Sequence, residues 1–208
     1  MTTTNLTGER IEELKAKATT HFWPHMNQAG DMSDETGLNI VTSAKGVWVE
    51  DASGKRWLDM VSGMWLKNIG HGRTEIADAV HAQMLDVSFT AHNTVAPSTI
   101  ELAARVGSLA PDKEARVFFV SGGSEAVETA IKMAKQYQRN RGELNRYKVI
   151  SRRGSYHGNT QMCMSLGGGG APPNFGPPVP GYSHISQPNG YRCLYCSDKG
   201  GCNLECAR

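Results

Sequence analysis

The residues with the most chemical potential lie in two short segments. Ser121-Gly122-Gly123-Ser124 follows the apolar run Val117-Phe118-Phe119-Val120 and precedes a helical stripe. A strand that ends in such a turn and feeds a helix offers free backbone N–H groups, the positive end of a helix dipole, and glycines that let an anion reach the main chain. A plain glycine turn with no ligand has the same residues, and the segment alone does not decide between the two. It matches neither G-x-x-x-x-G-K-[ST] nor G-x-G-x-x-G, so a nucleotide P-loop and a dinucleotide fingerprint are both unsupported. A smaller phosphate remains. The second segment, Ser155-Tyr156-His157-Gly158, comes just after the next strand and so belongs at the same carboxyl edge of a sheet, where open parallel sheets bind ligands. Tyr156 there could stack on a flat heterocycle, with Gly158 leaving room. Taken in isolation, a Tyr-His pair is better read as an ordinary polar loop.

A third cluster is made of sulfur. Of the five cysteines, Cys193, Cys196, Cys202 and Cys206 crowd one stretch while Cys163 stands alone. Cys193-x-x-Cys196 and Cys202-x-x-x-Cys206 could supply four thiolates to a tetrahedral zinc. The gap between the pairs is far shorter than the roughly 12–20 residues of zinc ribbons and fingers, so free surface cysteines are the default and no metal site is assigned.

These segments need elements to position them. Thr7 can cap a helix with Ile11, Leu14 and Ala18 at helical spacing, acidic residues early and Lys15 and Lys17 late. Gly46 to Met60 reads as a hairpin with its turn at Asp51-Ala52-Ser53-Gly54. Ser62-Gly63-Met64-Trp65 and Gly70-His71-Gly72 read as a glycine-punctuated loop. Amphipathic helices are expected over Glu75–Asp86 and after Pro97, the latter with Ser98 and Glu101 at capping-box spacing. Val117–Val120 is a short all-apolar run, as a strand buried on both faces would be. Beyond the glycines, Ala126, Val127, Ala130, Ile131, Ala134 and Tyr137 form the stripe of a helix packed on a sheet. A strand at Tyr147–Ser151 then completes a parallel strand-helix-strand unit. Glycines and prolines from Gly167 to Tyr182 predict a loop.

Composition narrows the function classes. Charged residues make up 20% and hydrophobic residues 39% of 208 residues, as in a globular protein rather than a disordered chain. No apolar stretch approaches the roughly 20 residues that span a bilayer, so no membrane partner is expected. Met1 to Leu14 holds threonines and glutamates where a secretory signal needs an apolar core, and the expected compartment is the cytoplasm. The formal charge of +2 comes from mixed acidic and basic residues with no long basic run, which argues against nucleic acid as a partner.

Taken together and in this order, the motifs resemble the class III, or omega, aminotransferases that use pyridoxal 5'-phosphate (PLP). The resemblance rests on Phe119-Val120-Ser121-Gly122-Gly123-Ser124-Glu125-Ala126 followed by Tyr156-His157-Gly158. The hairpin ending Trp57-Leu58-Asp59, the loop Ser62-Gly63-Met64-Trp65 and the turn Gly70-His71 add to it. It runs from the N-terminal helix to about Tyr182. Ser121 stands where many members have asparagine or threonine.

The resemblance implies an α/β fold, the PLP-dependent transferase fold type I, present here in part. Residues 1–60 would be a segment of the small domain and 61–208 the first part of the large PLP-binding domain. Gly122, Gly123 and Ser124 would hold the PLP phosphate, and Tyr156 would stack on the pyridine ring with His157 beside it. Trp65 and, less directly, Trp23 would line the substrate pocket, although simple anchoring of the N-terminal segment is the better reading of Trp23. The implied reaction moves an amino group from a primary amine or omega-amino acid to a keto acid such as pyruvate, in an enzyme expected to be a homodimer. An aminomutase or decarboxylase on the same scaffold, or a non-catalytic cofactor- or zinc-binding module, are the alternatives. The family's catalytic lysine and the acidic partner of the pyridine nitrogen lie downstream of Arg208. None of the ten lysines here occupies the family position, so no catalytic residue is assigned and the chain alone is expected to be inactive.

Overall fold

The computed structural model describes residues 6–25, 38–167, 175–193 and 195. The chain forms two compact units, Met1–Pro97 and Ser98–Arg208.

The first unit opens with α1 (Gly8–His21), where the Thr7 hydroxyl accepts from the Arg10 N–H at 3.3 Å, the expected cap. A three-stranded antiparallel sheet follows, β1 (Val41–Lys45), β2 (Trp48–Asp51) and β3 (Arg56–Leu58), in the order β1-β2-β3. The expected hairpin is β2–β3. Its turn is organised by Asp51, whose Oδ1 accepts from the Ser53 N–H, the Ser53 hydroxyl and the Lys55 N–H. β1 lies in what the sequence presents as polar loop. Its pairing to β2 carries a bulge at Thr42, and Val49 is the buried apolar residue of the sheet.

The glycine-punctuated loop is more ordered than its sequence predicts. Ser62–Trp65 forms a short helix, α2, of the left-handed kind: φ is 50° at Ser62, 56° at Gly63, 59° at Met64 and 68° at Trp65. Left-handed backbone costs a residue with a side chain about 1–2 kcal/mol, and it normally occurs one residue at a time. Three of these four residues carry side chains. α3 (Thr74–Asp86) matches the expected amphipathic helix.

The second unit takes in α4 (Pro97–Leu109) from its second residue onward. Pro97 itself opens the helix, as proline can at a first position that needs no N–H partner. Ser98 and Glu101 therefore lie inside its first turns and not at capping-box positions. α5 (Gly123–Asn140) follows the glycine turn, then β4 (Val149–Arg152), α6 (Gln161–Leu166) and β5 (Tyr182–Ile185). β4 and β5 pair in parallel, Val149 opposite Tyr182 through Arg152 opposite Ile185, with α6 in the connection between them. Cys163, Ser165 and Leu166 of α6 are buried, and the Ser151 hydroxyl donates to the Leu166 carbonyl at 2.5 Å.

Two expectations for this unit are corrected. Val117–Val120 is not a strand: among the described residues no segment pairs with it, and Phe118 is 66% exposed. An apolar run becomes a strand only when a neighbour takes up its N–H and C=O groups, and the ladder of β4 goes to β5. For the same reason the α5 stripe is covered on one flank only, with Val127 and Ile131 half-buried and Ala126, Ala130, Ala134 and Tyr137 exposed. The parallel unit is thus β4-α6-β5. The predicted loop up to Tyr182 ends where β5 starts, and residues 168–174 lie outside those described.

Candidate functional site

Among the described residues, no partner takes up the first N–H groups of α5. Gly122 is the N-cap in extended backbone, and no side chain caps the end. The Glu125 carboxylate turns back and accepts from the Ser121 N–H at 2.7 Å, which steadies the turn one residue earlier. Neither Gly122 nor Gly123 has positive φ, and a Cβ built on either meets no atom within 4 Å. Among the described residues, nothing in the packing or backbone requires glycine at these two positions. The space beside them is open, at the positive end of an 18-residue helix.

The second sequence segment comes to this helix start. The Ser124 hydroxyl oxygen accepts from the Asn159 N–H at 3.0 Å, across 35 residues of chain. Gly158 sits against Ser124 so closely that a Cβ would fall 2.3 Å from Ser124 Oγ, and its φ of 126° is itself one that favours glycine. Gly158 was expected to leave room for a ligand; the room it leaves is filled by Ser124. Beneath, the Cys163 thiol donates to the Ser124 carbonyl at 3.4 Å. Since Ser124 Oγ accepts from Asn159, its own proton is left to point elsewhere.

Tyr156 and His157 stand on the loop so fixed. Tyr156 is 76% exposed, and its hydroxyl donates to Asn159 Oδ1 at 3.1 Å. His157 Nε2 lies 3.0 Å from the Ser155 hydroxyl, which donates to the Arg152 carbonyl at 2.6 Å. With its proton spent there, Ser155 Oγ accepts, and His157 carries a proton on Nε2. Gly122, Gly123, Ser124, Tyr156 and His157 are therefore all gathered around one helix start in the second unit.

The two tryptophans belong to the first unit. Trp65 ends the left-handed helix α2 and is 74% exposed; Trp23 follows α1 and is 72% exposed. Sequence reasoning missed Asn159, Cys163 and the turn-back of Glu125. Only Glu125 had a legible signal, an acidic residue three positions after the N-cap. Of the cysteine cluster, Cys193 is half-buried, while Cys196, Cys202 and Cys206 lie outside the described residues. Among the described residues, no helix is long and apolar enough to cross a membrane.

A glycine turn that opens a helix, with an exposed aromatic on the loop packed against it, is an arrangement that known sequences and structures make specific. The class-III aminotransferase family matches residues 30–203. The chain belongs to that family. The putrescine–pyruvate aminotransferase of Pseudomonas aeruginosa is 35% identical over 193 residues, covering 89% of this chain and 41% of the relative. Among solved structures, an (S)-enantioselective omega-transaminase from Thermomicrobium roseum is 39% identical with a TM-score of 0.81, over 90% of this chain and 41% of that one. An amine transaminase from an uncultivated Pseudomonas species, solved in its PLP-bound form, is 33% identical with a TM-score of 0.74, over 86% of this chain and 41% of that one. The chain thus spans about two fifths of the proteins it matches. Its fold is part of the fold type I of PLP-dependent transferases, and PLP is the cofactor of the family.

Proposed function

We propose that this chain is the portion of a transaminase that grips the PLP phosphate and one face of the ring, in an enzyme that moves an amino group from a primary amine or omega-amino acid to a keto acid such as pyruvate. The observation that carries the reading is the open space at Gly122 and Gly123, which no contact among the described residues explains and which lies at a helix start without a side-chain cap. In this reading the main chain of Gly122 and Gly123 and the hydroxyl proton of Ser124 bind the phosphate. Tyr156 covers the ring, and His157 stays beside it with Nε2 turned towards Ser155. Asn159 fixes both halves, since its N–H holds Ser124 and its carboxamide oxygen holds Tyr156. When bound, PLP supplies the electron sink that makes the substrate's α-proton removable. Trp65, and by a weaker argument Trp23, border the amine. The division into a small-domain segment up to about residue 60 and a large-domain segment beyond it belongs to the same proposal, as does assembly of the enzyme as a homodimer.

The test is PLP retention in the enzyme that carries this chain. Gly123→Val puts a branched side chain where the anion must meet the backbone, and PLP should be lost on dialysis. Ser124→Ala removes one charge-assisted hydrogen bond, a cost of about 1–3 kcal/mol, and should weaken retention less. Equal PLP affinity in wild type and both variants would falsify the assignment.

A further inference from the structure

Gly158 is buried and meets the start of α5 more closely than a residue with a side chain could. Its φ of 126° is one that L side chains rarely adopt, and a Cβ there would lie 2.3 Å from Ser124 Oγ and 2.9 Å from both Ser124 Cα and Ser124 Cβ. Two hydrogen bonds flank this contact. The N–H of the next residue, Asn159, donates to Ser124 Oγ at 3.0 Å, and a little further on the Cys163 thiol donates to the Ser124 carbonyl at 3.4 Å. Ser124 is therefore held by its hydroxyl and its main chain at once, from one short stretch of chain. That stretch is itself fixed. Thr160 caps α6 by accepting from the Cys163 N–H at 3.3 Å, and at the other end of the helix the Leu166 carbonyl is tied to Ser151 of β4. From β5, His184 Nε2 donates to the Ser165 carbonyl at 2.9 Å, since a carbonyl only accepts. Cys163 is fully buried among these contacts. The β4–β5 pair thus braces α6, and α6 together with Gly158 braces the first turn of α5.

We propose that Gly158 and Cys163 are positioning residues for the cofactor phosphate: they set where Ser124 stands, and so where its hydroxyl proton can be donated. The inference rests on the reading of Ser124 as a phosphate ligand. Neither residue needs to touch the cofactor for this role. Gly158 differs in kind from Gly122 and Gly123, where a Cβ meets nothing within 4 Å. Those two leave space open, whereas Gly158 lets Ser124 fill it. With a side chain at 158, ordinary contact distances would return only if Ser124 moved by about 1 Å. A hydroxyl displaced that far no longer makes an O–H···O bond of about 2.5–3.0 Å to the same acceptor.

The test is the Kd for PLP, from fluorescence titration of the apoenzyme that carries this chain, with the melting temperature of each apo variant measured beside it. Ser124→Ala should weaken binding about tenfold, the scale of one charge-assisted hydrogen bond. Gly158→Ala should weaken it at least as much, because it displaces the same hydroxyl and strains its own backbone. In a Ser124→Ala background Gly158→Ala should cost about threefold or less, since the group it displaces is already gone and coupled residues do not add. Cys163→Ala, which removes only the thiol, should weaken binding about two- to fivefold, and Cys163→Ser, which keeps a donor, should recover most of it. A lower melting temperature with unchanged PLP affinity in Gly158→Ala and Cys163→Ala would mean that these contacts serve folding alone, and would overturn the proposal. So would an equal loss from Gly158→Ala with and without the Ser124 hydroxyl. If Gly158→Ala does not fold, the Cys163 pair decides: wild-type affinity in Cys163→Ala, or no recovery in Cys163→Ser, sinks the positioning role. If Ser124→Ala itself leaves PLP affinity at the wild-type value, the phosphate reading fails and this role with it.

Discussion

Tyr156 reaches solvent with its ring while its hydroxyl is held by Asn159, so the two parts of the side chain can be tested separately. Removing the hydroxyl in Tyr156→Phe keeps the face that stacks and should leave PLP affinity within about twofold of wild type, as expected for an exposed hydrogen bond. Tyr156→Ala removes the face and should weaken binding about three- to tenfold. Fluorescence titration with PLP in the enzyme that carries this chain measures both. Equal losses in the two variants would mean that the ring face contributes nothing. The two segments were legible as neighbours because each was placed after an apolar run at one edge of a sheet. Their contacts were not. The bond from Asn159 to Ser124 joins positions 35 apart, and no local pattern encodes such a meeting.

At the scale of elements, two carboxylates hold the turns of the first unit together, and both are kept ionised. The hydrogen bond from His71, with help from the Gly63 N–H, holds the Asp59 carboxyl below the usual aspartate range; the Ser53 hydroxyl does the same for Asp51. A carboxyl whose folded pKa is depressed adds stability above its unfolded pKa, about 3.9, and loses it as pH falls through the lower folded value. Melting temperatures of wild type and Asp59→Asn should therefore differ at pH 6 and converge as the pH drops below about 4. A constant difference down to pH 2–3 would show that Asp59 is not bound as an anion. Helices α1 and α3 and the β2–β3 hairpin were readable because caps, stripes and turn residues are local. The apolar run Val117–Val120 was misread because its sequence specifies burial, whereas a strand also needs a partner for its backbone. The left-handed hand of α2 was invisible for a related reason: Ser-Gly-Met-Trp has one residue suited to positive φ, and the other three are held there by Asp59 and the hairpin frame.

Over the whole molecule, apolar side chains are left uncovered in both units, among them Ile76, Val80 and Met84 on one face of α3 and Phe118 and Phe119 before the glycine turn. Scattered apolar exposure is ordinary, but a continuous helix face is not. Residues 1–208 expressed alone should aggregate, which light scattering during refolding would measure. With an amine and pyruvate they should give no turnover, and borohydride in the presence of PLP should label no unique lysine. Turnover abolished by mutating one of the ten lysines would overturn this part of the proposal. The α/β class was legible from the order of the motifs. Which strand pairs with which was not, since β5 begins inside a stretch whose glycines and prolines resemble loop.

The bond that joins Asn159 to Ser124 also sets a timetable. The β1–β2–β3 sheet is complete by Leu58 and its contacts are between near neighbours in sequence, so it can form while most of the chain is still being made. The junction at the start of α5 cannot. Its first half is present once Ser124 has emerged, but Asn159 follows 35 residues later, a delay of a few seconds at about 5–20 residues per second. The parallel partner β5 comes later again, at Tyr182–Ile185. During that interval the start of α5 lacks the loop that will hold Ser124. A ribosome paused within this window would carry a nascent chain whose hairpin sheet is finished and whose junction between α5 and the loop at Asn159 does not yet exist.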